Sequence, residues 1–136
     1  MKYIQVLKLG PILFLTIPEN LNDALAQSLE EALLEQQALT KADAIVIDIS
    51  SLEIIDSFMA RVISETANAS SLMDAKVIIV GMSPVATITL LELGMRMEHI
   101  ETALDLEAAL DKLGYALVKT KKTIHPLDSL TEPNKK

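Results

Sequence analysis

The chain predicts an α/β domain: a mixed sheet of four to five strands with about four helices, mainly on one face. Short β-branched runs, Ile12 to Ile17, Ala44 to Ile49 and Lys76 to Val80, alternate with longer segments of helical period. Gly, Pro, Asn and Ser punctuate the boundaries. Two strand-like segments open the chain back to back across Gly10-Pro11, which departs from a purely parallel plan.

Tyr3 to Leu9 partly alternates apolar and polar residues and reads as a strand, antiparallel to Ile12–Ile17 across the tight turn. Pro18-Glu19-Asn20 ends the second strand. Asn20 is the expected cap of the first helix, with Asp23 three residues on. Leu21, Leu25, Leu29, Ala32, Leu33 and Leu34 give that helix an apolar stripe to about Leu39, with Glu30, Glu31, Glu35 and Gln36 facing out.

Ala44-Ile45-Val46-Ile47-Asp48-Ile49 lacks strict alternation, as suits a strand covered on both faces. Asp56 is the expected cap of the next helix, where Phe58, Met59, Val62, Ile63, Thr66, Ala67 and Ser70 fall at helical spacing. Lys76–Val80 is a further buried strand, closed by Gly81. Ser83-Pro84 is a cap followed by proline at the first helical position. Val85, Ile88, Leu91 and Leu93 follow at helical spacing, and Gly94 stops the helix. Met97-Glu98-His99-Ile100 is a candidate short edge strand. Asp105 caps a last helix, Leu106 to Leu113, stopped by Gly114. The organisation is thus one domain over 1–114 and a basic, flexible tail over 115–136.

Composition excludes several classes. Half of the 136 residues are apolar, enough for a real core. There is no cysteine, so disulfides, thiolate catalysis and cysteine-ligated metals are out. No apolar run reaches the length of a membrane span and no signal peptide opens the chain, so the expectation is a cytoplasmic protein without a membrane partner. Net charge is −7: through Leu113 seven basic residues face seventeen acidic ones, and afterwards five lysines face two acids. An acidic domain argues against nucleic acid as partner. There is no Gly-rich phosphate loop and no hydrolase motif, and His99 and His125 are far apart. No catalytic residue, cofactor or resident metal is expected.

What chemistry there is concentrates at Asp56-Ser57. A serine in the first turn behind an Asp cap presents its hydroxyl outward, where the helix N-terminus tolerates an anion. A phosphate there adds roughly −1.5 to −2 charges beside Asp56 and Glu53. Phe58 and Met59, adjacent in the first turn, cannot both be buried unless the helix is covered on two sides, so one is a candidate partner contact. Asp48, Glu53 and Asp56 form an acidic cluster worth weighing as a receiver-like Mg²⁺ pocket, but the acidic pair and lysine expected of a receiver are missing. Thr87 and Thr89 are secondary candidates for phosphorylation.

The strings VIDISSLEIIDSFMARVI, LMDAKVIIVGMSPVATITLLELG and IETALDLEAAL resemble the STAS-domain family, and within it the RsbS-type antagonists of the bacterial stressosome. The resemblance covers about residues 3 to 113 and is strongest over 43 to 110. It implies an α/β STAS fold without catalytic activity. It implies that Ser57 is phosphorylated by an RsbT-type serine kinase and reset by an RsbX-type phosphatase. It further implies assembly, as a homo-oligomer and with RsbR-type co-antagonists, into a large scaffold that sequesters the kinase and releases it on phosphorylation. Partner contacts are then expected at Glu53, Asp56, Ser57, Phe58 and Met59. Simpler anti-anti-sigma members carry Asp-Ser-x-Gly-Leu where this chain has Asp56-Ser57-Phe58-Met59-Ala60, which favours the stressosome type over a stand-alone anti-anti-sigma factor. The tail is not explained by the resemblance.

Overall fold

The computed structural model describes residues 5–95, 100–118 and 123–126. The order is β1 (Val6–Leu9), β2 (Ile12–Thr16), α1 (Asp23–Thr40), β3 (Ala44–Asp48), α2 (Ser57–Ser71), β4 (Lys76–Val80), α3 (Pro84–Glu92), β5 (Ile100–Ala103), α4 (Leu106–Leu113), β6 (Tyr115–Val118) and β7 (Thr123–Pro126).

Gly10, at φ 62°, turns β1 back against β2, and the two pair antiparallel with Leu9 opposite Ile12. Strands β2 to β5 then lie parallel and in sequence order. Each crossover steps to the next strand in the same direction, so crossovers of uniform right-handedness put every connecting helix on one face. The burial agrees. Leu13, Leu15, Ile45, Ile47, Val77 and Ile79 point to the face covered by Leu29 and Leu33 of α1, Met59 and Ile63 of α2, and Ala86 and Leu90 of α3. Ile12, Val46, Ile78 and Val80 alternate to the other face, where Ala109 and Leu110 of α4 cover them, with Phe14 and Tyr115 at the margin. The mixed five-stranded sheet and its four helices are the predicted fold.

Several details differ from expectation. The cap of α1 is Asn22, not Asn20: the Leu25 N–H donates to Asn22 Oδ1 at 2.8 Å, and Asn20 sits in the preceding turn. Both asparagines suit a cap, and only the position of the turn after β2 decides between them. Glu30, expected to face out, is half-buried. Strand β5 begins at Ile100, and Met97 to His99 lie outside the described residues.

The largest difference is in residues 115–118 and 123–126; the rest of the expected tail lies outside the described residues. Where a flexible tail is expected, β6 and β7 form an antiparallel hairpin, with Tyr115 opposite Pro126 and Val118 opposite Thr123. Its strands are four residues each, and lysines between them mask the period from a sequence reading. The hairpin is joined to the domain through Tyr115, which packs on the α4 cluster.

Candidate functional site

The segment from β3 to α2 is fixed from both ends. Asp48, at the carboxyl end of β3, accepts the Ser50 N–H on its Oδ1 at 2.9 Å. The Leu52 N–H donates to the Ile49 carbonyl at 3.1 Å, closing a turn. Leu52 and Ile55 are buried and plug the loop into the core. A third tie comes from the neighbouring loop. Gly81 follows β4 with φ 82°, and a Cβ built on it would lie 2.7 Å from the Cβ of Ser50. Only glycine allows both that backbone conformation and that approach.

Ser51, Glu53 and Ile54 of this anchored loop are exposed, Ile54 to 83%. Successive side chains of an extended segment point to opposite sides, so Ile55 goes in and Ile54 goes out. Asp56 then caps α2, its Oδ1 accepting the Met59 N–H at 2.8 Å. Ser57 is the first residue of the helix and is exposed. The adjacent pair separates as expected: Met59 is buried, whereas Phe58 is half-buried with the Arg61 guanidinium 5.4 Å from its ring centroid, within cation–π range. Arg61 also lies 3.9 Å from Glu65 on the exposed side of α2.

Glu53, Asp56, Ser57 and Phe58 thus share the exposed start of α2 and the loop before it, and Met59 belongs to the core. Asp48 and Asp56 each hold a backbone N–H, and among the described residues no group of three His, Cys, Asp or Glu could hold a metal ion. The first turn of α2 contains no acidic residue beyond its cap, and the first N–H groups of a helix have no intrahelical partner. An anion on the Ser57 hydroxyl oxygen meets the positive end of the helix dipole.

The threonines of α3 are placed differently. Thr87 donates its hydroxyl to the Ser83 carbonyl at 2.9 Å, and Thr89 is half-buried. Two features of the site escaped the sequence reading. The clasp between Ser50 and Gly81 joins loops far apart in the chain, and its one signal is the glycine itself. The exposure of Ile54 was legible only as the alternation of a loop whose direction the sequence does not give.

Among the described residues no helix is long and apolar enough to cross a membrane. Comparison with known proteins gives a consistent picture. Moorella thermoacetica RsbS carrying a serine-to-glutamate substitution is 32% identical, with a TM-score of 0.73 over 82% of this chain and 95% of that one. A chain from the structure titled "Molecular architecture of the stressosome, a signal integration and transduction hub" is 35% identical, with a TM-score of 0.74 over 80% of this chain and 95% of that one. The RsbT co-antagonist protein RsbRD of Bacillus subtilis (strain 168) is 28% identical over 92 residues, which is 68% of this chain. This chain spans about a third of that relative's length, 33%. The STAS-domain family model matches residues 3–109, which takes in every strand of the five-stranded sheet and the anchored loop with Ser57. The chain belongs to the STAS-domain family.

Proposed function

We propose that this chain is a non-catalytic, phospho-switchable antagonist and scaffold subunit of a cytoplasmic stressosome-type assembly. It holds an RsbT-type serine kinase together with RsbR-type partners, and lets the kinase go when Ser57 is phosphorylated. An RsbX-type phosphatase resets the serine. The observation that carries this reading is the exposure of Ser57 at the first position of α2, immediately after its cap. Its likeness to RsbS and stressosome chains supports the same reading.

The physics of the switch follows from that position. A phosphate on Ser57 Oγ finds free N–H groups and the helix dipole, so the fold tolerates it. The same phosphate brings roughly −1.5 to −2 charges to a surface that already carries Asp56 and Glu53. At an interface, a desolvated like charge costs more than it returns. A loss of about 1.4 kcal/mol weakens binding tenfold. Phosphorylation thus ejects a partner without unfolding the domain. Thr89 is at most a secondary target, since it is half-buried in α3.

The test is phosphosite mapping with an RsbT-type kinase and ATP, comparing wild type with Ser57→Ala. The expected result is one acid-stable phosphate on Ser57, absent in the variant, together with loss of kinase binding. Phosphate elsewhere, with kinase binding unchanged, would overturn the switch and leave a STAS scaffold regulated through another subunit. Sizing with an RsbR-type partner separates the scaffold, which gives a very large particle, from an anti-anti-sigma factor, which stays in a one-to-one complex.

A further inference from the structure

Ser57, Arg61 and Glu65 stand four residues apart on the exposed side of α2, and Arg61 is the one basic residue of that helix. Residues at this spacing are neighbours on a helix surface, with Cβ atoms about 5–6 Å apart. Arg61 can therefore reach Glu65, one turn on, or the Ser57 oxygen, one turn back. It is held loosely where it stands. Its Nη1 lies 3.9 Å from Glu65 Oε2, longer than a hydrogen bond, and both side chains are more than half exposed. Its guanidinium carbon is 5.4 Å from the Phe58 ring centroid. It also acts on Glu30 of α1, whose carboxyl is raised by burial and by Glu65 and lowered in part by Arg61.

We propose that Arg61 is the intramolecular partner of the Ser57 phosphate: once Ser57 is phosphorylated, the guanidinium leaves Phe58 and Glu65 and pairs with the phosphate one turn back. The inference rests on Ser57 being the phosphorylated residue. Three differences favour the phosphate over Glu65. An acid four residues before a base is the better order on a helix, and Arg61-Glu65 has the reverse order. The phosphate carries roughly −1.5 to −2 charges against one on the carboxylate. Its three oxygens also accept the planar guanidinium fork through two parallel hydrogen bonds. The opposing cost is small, because Glu65 is exposed and water replaces its weak ion pair. Phosphorylation then changes the surface twice. It adds a dianion beside Asp56 and Glu53, and it takes the cation away from the Phe58 ring. A partner seated on the Arg61-Phe58 pair loses that contact as the phosphate arrives.

The test uses the full chain with phosphoserine encoded at position 57, so it needs no kinase. Phosphorus NMR follows the second ionisation of the phosphate, about pKa 6 when unperturbed. A neighbouring cation favours the dianion and lowers that value. Arg61→Gln is expected to raise it by about 0.5, roughly threefold in the ionisation constant. Arg61→Lys keeps the charge without the fork and is expected to recover part of the difference. The Arg61 Nε–H resonance gives a direct readout: in the wild-type sequence it is expected to shift, and to exchange more slowly with solvent, when the phosphate is present. Arg61 is exposed, and urea midpoints check that each variant is folded. Equal phosphate ionisation in the wild-type and Arg61→Gln chains would overturn the inference, as would an Arg61 signal that the phosphate leaves unmoved. Either result would leave the kinase switch at Ser57 standing. A kinase that does not modify Ser57 would remove that switch without altering the pairing measured in the encoded phosphoprotein.

Discussion

Helices α2 and α3 each leave the carboxyl end of a parallel strand, and each starts on a side-chain cap, Asp56 in one and Ser83 in the other. Beyond the first turn they diverge. Helix α2 buries Met59, Ala60, Val62, Ile63, Thr66, Ala67 and Ser70, and turns Ser57, Arg61 and Glu65 outward. Helix α3 buries only Ala86 and Leu90 and turns its larger apolar residues outward. An amphipathic pattern names its own buried face. A helix that is apolar on every side does not, and there the sheet chooses the face. In α2 the chemistry lies at the polar first turn; α3 exposes an apolar flank.

The largest effect expected from this contrast is in stability. Ile63→Ala empties a fully buried position on α2 and should cost about 2–5 kcal/mol in urea unfolding. Ile88→Ala on the exposed side of α3 should stay within about 0.5 kcal/mol, measured at concentrations where the chain is monomeric. Equal losses at the two positions would remove the contrast.

The turns before and after α3 give the next largest difference. Gly81→Ala forces a left-handed residue, about 1–2 kcal/mol, and adds a collision with Ser50. Gly94→Ala, at φ 76° with nothing within 4 Å of the new Cβ, meets the conformational cost alone. Gly81→Ala should therefore lower the melting temperature more, and it should also loosen the loop that presents Ser57. Unfolding scans, with proteolysis of the 49–56 segment, compare the two.

The caps should lose about the same stability and differ in function. Asp56→Ala and Ser83→Ala each remove an acceptor from a first-turn N–H and should each cost about 1 kcal/mol. Only Asp56→Ala is expected to change the rate of Ser57 phosphorylation, followed by mass spectrometry. A matching change in Ser83→Ala would count against a site confined to α2.

The smallest effect concerns Glu30, on the α1 side of the helical layer. Burial pushes its carboxyl above the ordinary 4.5, Glu65 pushes it further in the same direction, and Arg61 offsets part of the rise. The folded chain then holds that proton more tightly than the unfolded chain. Stability from this group is greatest below pH 4.5 and declines as pH rises through the shifted value. Glu30→Gln should remove that decline and leave the chain slightly more stable at pH 7, as unfolding midpoints measured across pH 4 to 7 would reveal.

Local rules account for most of what the sequence determined. The order of strands and helices, the caps Asp56, Ser83 and Asp105, and the stop at Gly114 all depend on residues within a turn of one another. Ser57 was legible for the same reason, because the cap and first turn of a helix are set by adjacent residues. The tertiary structure decided the rest. It sent Met59 inward and left Phe58 at the surface under Arg61, and it pressed Gly81 against Ser50. It also paired residues 115–118 with 123–126 and left the apolar flank of α3 exposed. Each of these outcomes depends on which parts of the sheet and its neighbours lie nearby, a property of residues far apart in the chain that no local period encodes.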